Sequence, residues 1–214
     1  MKYKCIIFDC DGVLVDSELI TAKVLVAMGK DLGLHMDLNF VVGEFLGKSL
    51  NDIMHYLDVL TKGGLPPDFE SEYRKKTFEA FKNELKPIEG VHSVIENLKI
   101  PFCVASSGPL EKIRANLTTT GLIDKFEDRI FSCYEIQSWK PNPDIFLHAA
   151  KNMGFKPKEC AVIEDSKVGV QAALAGGFDV FVYSKNGHDY PVGVQETFVF
   201  QDMSELKSLL SQSL

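Results

Sequence analysis

Tyr3-Lys4-Cys5-Ile6-Ile7-Phe8-Asp9-Cys10-Asp11-Gly12-Val13-Leu14-Val15-Asp16-Ser17 begins as a short apolar run and breaks on two carboxylates beside a glycine. An apolar run of this length, closed by turn-forming residues, reads as a strand buried in a parallel sheet. In open parallel α/β sheets the ligand crevice lies beyond the carboxyl ends of the strands, which is where Asp9 and Asp11 fall. Two carboxylates two residues apart repel each other unless protons or a cation compensate them. A hard divalent ion bound through oxygen is the simplest compensation. Taken alone, Asp-Cys-Asp-Gly fits a plain turn equally well.

Outward from this stretch, short apolar runs alternate with amphipathic ones, the pattern of an α/β fold with a parallel sheet covered by helices. Strands are predicted over 3–8, 102–106, 130–133, 160–163 and 179–183, and helices over 91–99, 110–120, 143–153, 167–175 and 204–210. Residues 17–85 break the alternation, with several helical patterns and no convincing strand. Ser49 followed by Asp52 resembles a helix start, with Ile53, Met54, Leu57 and Leu60 as an apolar stripe behind it. Gly63-Gly64 and Pro66-Pro67 then interrupt the chain before a further helical run over 69–85. The expected organisation is a Rossmann-like core domain of 1–16 and 86–214 and an inserted all-helical domain of 17–85.

Three more strand ends carry polar groups. Ser106-Ser107-Gly108-Pro109 sets two hydroxyls and a glycine ahead of a helix, where free backbone N–H groups attract phosphate. Lys140-Pro141-Asn142-Pro143 holds a lysine between turn residues, a source of fixed positive charge for a phosphoryl group. Glu164-Asp165-Ser166 places adjacent acids where water or a metal must satisfy them. Each has a plain structural alternative as a helix cap or solvated loop.

The formal net charge of -7 argues against a broad nucleic-acid role, which needs a basic face. Cys5, Cys10, Cys103, Cys133 and Cys160 are odd in number, scattered and set mostly in apolar runs, so they read as buried thiols of a reducing compartment. The first apolar run is too short for a membrane span. A cytoplasmic monomer without membrane or nucleic-acid partners is expected.

Asp9-X-Asp11-Gly12-X-X-X-Asp16-Ser17, Ser106, Lys140-Pro141-X-Pro143 and Glu164-Asp165-Ser166 together resemble the four motifs of the haloacid dehalogenase superfamily. Within it the chain is similar to the β-phosphoglucomutase and phosphatase branch, whose helical cap is inserted between the first two motifs. The resemblance implies a Mg²⁺-dependent phosphatase of small phosphorylated metabolites, with Asp9 as the nucleophile forming an aspartyl-phosphate and Asp11 as the general acid and base. It implies that Ser106 and Ser107 hold phosphoryl oxygens, that Lys140 offsets their charge, and that Asp165 and Glu164 bind Mg²⁺ with Asp9 and the Asp11 backbone carbonyl.

Thr21 and Leu50 stand where a mutase of this branch has a histidine and an arginine, which places a phosphotransferase second; a non-catalytic phosphate-binding module comes third. Asp11 speaks against dehalogenase chemistry. By position, Glu18, Thr21, Gly47, Lys48 and Ser49 are candidates for substrate selection, with Lys48 able to meet a substrate carboxylate. The run from Glu135 to Pro141 is similar to bacterial phosphatases acting on sugar phosphates such as 6-phosphogluconate.

Overall fold

A computed structural model of the chain describes residues 2–45, 48, 50–185 and 197–212. The chain divides into two compact units, Met1–Asp16 with Lys86–Leu214, and Ser17–Leu85. The first begins with β1 (Cys5–Phe8), and the second contains α1 (Glu18–Asp31), α2 (Leu38–Phe45), α3 (Leu50–Leu60) and α4 (Phe69–Glu84). The chain then continues through α5 (Val91–Asn97), β2 (Phe102–Ser106), α6 (Leu110–Thr119), α7 (Ile123–Phe126), β3 (Ile130–Ser132), α8 (Cys133–Ile136) and α9 (Asp144–Asn152). β4 (Cys160–Glu164), α10 (Lys167–Ala175), β5 (Asp179–Tyr183), β6 (Thr197–Phe200) and α11 (Leu206–Gln212) complete it.

The strands form one parallel sheet in the order β3-β2-β1-β4-β5-β6, the Rossmann-like α/β class expected. Successive connections leave β1 in opposite directions along the sheet, so β1 sits beside the topological switch point where such sheets bind ligands. Alternation along β1 divides the packing between the sheet's two faces. Cys5 and Ile7 join Cys103, Val162 and Val180 in a core covered by Ile145 and Phe146 of α9 and Ala172 and Ala173 of α10. Phe8 meets Phe102 and Phe126 edge-on, with ring centroids 6.4 Å away in each case. All five cysteines are free and buried.

The loop after β1 turns back on itself, with the Leu14 and Val15 N–H groups donating to Cys10 O and the Gly12 N–H to Val15 O. Gly12 takes φ +80°, a conformation glycine adopts without a Cβ penalty. Asp16 N–H then donates to Lys86 O, so the two crossings out of this unit run side by side.

The helical unit has its own core, in which Leu25 of α1, Val41 and Phe45 of α2, Ile53, Met54 and Leu57 of α3, and Tyr73 of α4 are buried together. Leu60, expected in the α3 stripe, is 43% exposed at the end of its helix. Ser49 lies outside the described residues.

Several element boundaries differ from expectation by one or two residues, two of them at visible caps, and one strand was missed. The strand predicted over 130–133 ends at Ser132, because the Ser132 hydroxyl caps the next turn by accepting from Tyr134 N–H while Glu135 accepts from Ser132 N–H. The closing helix is preceded by a 3₁₀ turn, Met203–Glu205, capped by Asp202. β6 was not anticipated; it is a four-residue edge strand, buried only at Phe200. Among the described residues no helix is long and apolar enough to cross a membrane.

Candidate active site

Asp9 is the first residue beyond β1, and its N–H donates to Ile163 O at 2.9 Å. Its position between the ends of β2 and β4 gives it neighbours from three chain segments far apart in sequence. Lys140, buried in the loop before α9, donates from Nζ to Asp9 Oδ1 and to Glu164 Oε1, each at 2.6 Å. The same Nζ lies 4.7 Å from the centroid of the Phe146 ring, a cation–π contact away from solvent.

Glu164 ends β4 and is fully buried. Its Oε2 accepts from Asp165 N–H, Ser166 N–H and the Ser166 hydroxyl at 2.8, 2.7 and 3.0 Å. Ser166 Oγ in turn accepts from Gly169 N–H and caps α10. Asp9, Glu164 and Asp165 each present an oxygen, all within 4.8 Å of one another.

Burial pushes the Asp9 carboxyl up, to about 7; the Lys140 charge opposes this and the Glu164 charge adds to it. For Lys140 burial works against the charge, but Asp9 and Glu164 outweigh it and keep the ammonium well above its usual range. Asp9 and Glu164 share this one ammonium and Asp165 adds a further acidic oxygen within 4.8 Å, so the cluster is predominantly acidic in charge. The oxygen donors and this charge fit a hard divalent cation such as Mg²⁺. Two glycines make room for the acids. A Cβ at Gly12 would overlap the Asp165 carboxylate, and one at Gly169 would overlap that of Glu164.

Ser106 ends β2, paired in register with Ser132 of β3, and is 2% exposed. Its hydroxyl accepts from Gly108 N–H at 3.2 Å while Ser132 Oγ donates to Gly108 O at 2.7 Å. The loop before α6 is thereby pinned, with Ser107 exposed upon it. Strand ends thus bring together Asp9, Glu164 and Asp165 with Lys140, and place Ser106 at the end of the strand beside β1.

The Asp11 carboxylate is engaged elsewhere. Its Oδ2 accepts from Lys112 Nζ at 2.7 Å, and Asn116 Nδ2 lies 3.4 Å from its Oδ1. Neither α6 residue was singled out in the sequence. One signal was available: a lysine in the first turn of a helix faces the positive end of the dipole, an unfavourable place unless an acid answers it.

Lys48 belongs to the helical unit, where it ion-pairs with Glu44 and lies near the Phe45 and Tyr56 rings. Thr21 Oγ1 donates to Glu18 O within that unit. Gly47 lies, like Ser49, outside the described residues.

A family model for haloacid dehalogenase-like hydrolases matches residues 3–177. The 6-phosphogluconate phosphatase of Escherichia coli K12 is 33% identical over 210 residues, covering 97% of this chain and 95% of that protein. A crystal structure of a haloacid dehalogenase-like protein of unknown function from Agrobacterium tumefaciens superposes with a TM-score of 0.86 at 30% identity, covering 98% of each chain. A hydrolase of the same family from Deinococcus radiodurans, with bound phosphate and sodium, gives 0.78 at 28% identity, covering 98% of this chain and 96% of that one.

Proposed function

The chain belongs to the haloacid dehalogenase-like hydrolases and is a phosphoric monoester hydrolase, and from that premise we propose that it hydrolyses sugar or sugar-acid phosphates, 6-phosphogluconate among them, through an aspartyl-phosphate at Asp9. The observation that carries this reading is the Asp9 carboxylate at the end of the central strand, joined through Lys140 to Glu164. The similarity to the E. coli phosphatase, over nearly the full length of both proteins, supports the substrate class.

In the proposed reaction an Asp9 oxygen attacks phosphorus, the bond from phosphorus to the leaving oxygen breaks, and Asp11 gives that oxygen a proton. Water then attacks the same phosphorus and passes a proton to Asp11. The bond from phosphorus to Asp9 breaks and inorganic phosphate departs. Ser106 and the Ser107 N–H are assigned to the phosphoryl oxygens, and Lys140 to the charge on nucleophile and phosphate. Asp9, Glu164 and Asp165 would hold Mg²⁺, which supplies charge neutralisation and alignment at the phosphoryl group. Substrate choice is assigned to the inserted helical unit, because the motif residues engage only the phosphoryl group.

The test is phosphate release with Mg²⁺ across sugar phosphates, sugar-acid phosphates, phosphoglycolate and nucleotides, with Asp9→Asn as the blank. Mg²⁺-dependent release concentrated on sugar or sugar-acid phosphates, lost on chelation, is the expected result. Release no greater than the blank from every compound would overturn the reading.

A further inference from the structure

From the contacts around Asp11 we infer that Lys112 and Asn116 are positioning residues for the general acid, fixing the orientation of its carboxylate toward the leaving oxygen; the inference rests on the phosphatase reading above. The two residues are four apart on α6 and therefore share one face of it. That face meets the loop after β1. Lys112 Nζ reaches Asp11 Oδ2 at 2.7 Å, and Asn116 Nδ2 approaches Oδ1 at 3.4 Å.

Holding both oxygens of a carboxylate from two directions restricts rotation about its last side-chain bond. The longer contact at Oδ1 leaves a lone pair on that oxygen to carry the transferred proton. The anchors are themselves fixed. Asn116 is fully buried in a helix interior, and the Lys112 side chain is only 29% exposed.

The Lys112 charge stands in the first turn of α6, against the helix dipole, and the Asp11 carboxylate is an acid that answers it there. Asn116 Oδ1 is also buried with no hydrogen-bond partner, an amide placed at a cost in desolvation. Its Nδ2 points at the Asp11 carboxylate.

Acid catalysis is felt through the leaving group, and this separates positioning from stability. A sugar alkoxide must be protonated as it departs, whereas p-nitrophenolate leaves without a proton. The experiment follows single-turnover consumption of 6-phosphogluconate and of p-nitrophenyl phosphate by the full-length chain with Mg²⁺, in wild type, Lys112→Met, Lys112→Arg and Asp11→Asn.

With Lys112→Met the sugar-acid phosphate rate is expected to fall about 10²-fold, the scale of a catalytic group displaced by about 1 Å. The ratio of that rate to the aryl phosphate rate should fall at least about tenfold, in the same direction as for Asp11→Asn, with KM little changed. Lys112→Arg, which keeps the charge, should recover most of the ratio. Equal losses on both substrates, a change in KM alone, or no loss would overturn the inference. Should Lys112→Met fail to fold by circular dichroism, Lys112→Gln takes its place under the same criterion. A wild-type protein that consumes neither compound refutes the phosphatase reading itself, an outcome distinct from a normal wild type with an unaltered ratio in the variants.

Discussion

Lys140 is the side chain on which the charges of the site converge, since its ammonium is shared between Asp9 and Glu164 and both partners are buried. Lys140→Met keeps the length of the chain but leaves two acids without their cation. Loss of this fixed charge should lower kcat about 10²–10³-fold on a phosphate monoester. Removal of one partner from a buried ion pair should also destabilise the fold by about 3–5 kcal/mol near neutral pH, checked by urea unfolding. At the opposite ends of the strands, Asp179 forms a purely structural counterpart. Burial pushes its carboxyl up, but hydrogen bonds from Lys2 and Tyr3, with the charges of Lys2 and Lys158, hold it below the usual value of 3.8. A depressed carboxylate contributes stability above its unfolded pKa and loses it as the pH falls through the folded one. Asp179→Asn should therefore cost about 1–3 kcal/mol at pH 7, and the difference from wild type should narrow below about pH 4. Melting curves at both pH values check this.

The helices and strands explain what was legible in the sequence and what was not. Asp9, Ser106 and Glu164-Asp165 stood out because each follows an apolar run, and a parallel sheet gathers such ends at one edge, whereas Lys140, which lies beyond α8 and not at a strand end, stood out through Pro141 and Pro143. Lys112 and Asn116 did not, because their partner is about a hundred residues away and a helix face names no partner in advance. β6 escaped for another reason: an edge strand packs on one side only, so Thr197–Phe200 lacks the sustained burial pattern of β4 or β5. Cys133 looked like the end of a strand because its apolar character continues that of Ile130 and Phe131, while the Ser132 cap that ends the strand works through a hydroxyl. Gly169 gives an element-level prediction whose sign opposes propensity. Glycine to alanine within a helix ordinarily stabilises by about 0.5–1 kcal/mol. In the first turn of α10 the new methyl would overlap the Glu164 carboxylate, which already accepts from Lys140 and Ser166. Gly169→Ala should instead destabilise by about 1–3 kcal/mol and weaken Mg²⁺ activation, checked by denaturant unfolding and a metal titration of activity.

At the scale of the whole molecule, folding assembles a site that the unfolded chain does not possess. Residues 9, 140, 164 and 165 come from three separate stretches of the chain; two of the carboxylates share one ammonium, and an oxygen of the third lies within 4.8 Å of theirs. A divalent cation that binds this arrangement, and not the unfolded chain, must stabilise it by mass action. The gain is about 2.7 kcal/mol at a free concentration 100 times Kd. For a unit of this size that corresponds to a rise in Tm of roughly 5–10 °C. Because the chain forms two compact units, unfolding need not be a single transition. The rise should attach to the transition of the unit that contains the site, and the melting of Ser17–Leu85 should respond less. Asp165→Asn should remove most of the shift. Its pH dependence also has a definite sign: protons compete with the cation for Asp9, whose carboxyl burial pushes up to about 7. The Mg²⁺-induced rise should therefore be largest above neutral pH and shrink as the pH falls through 7. Thermal unfolding with and without Mg²⁺ between about pH 6 and 8 tests the coupling, and a shift that grows on acidification would contradict it.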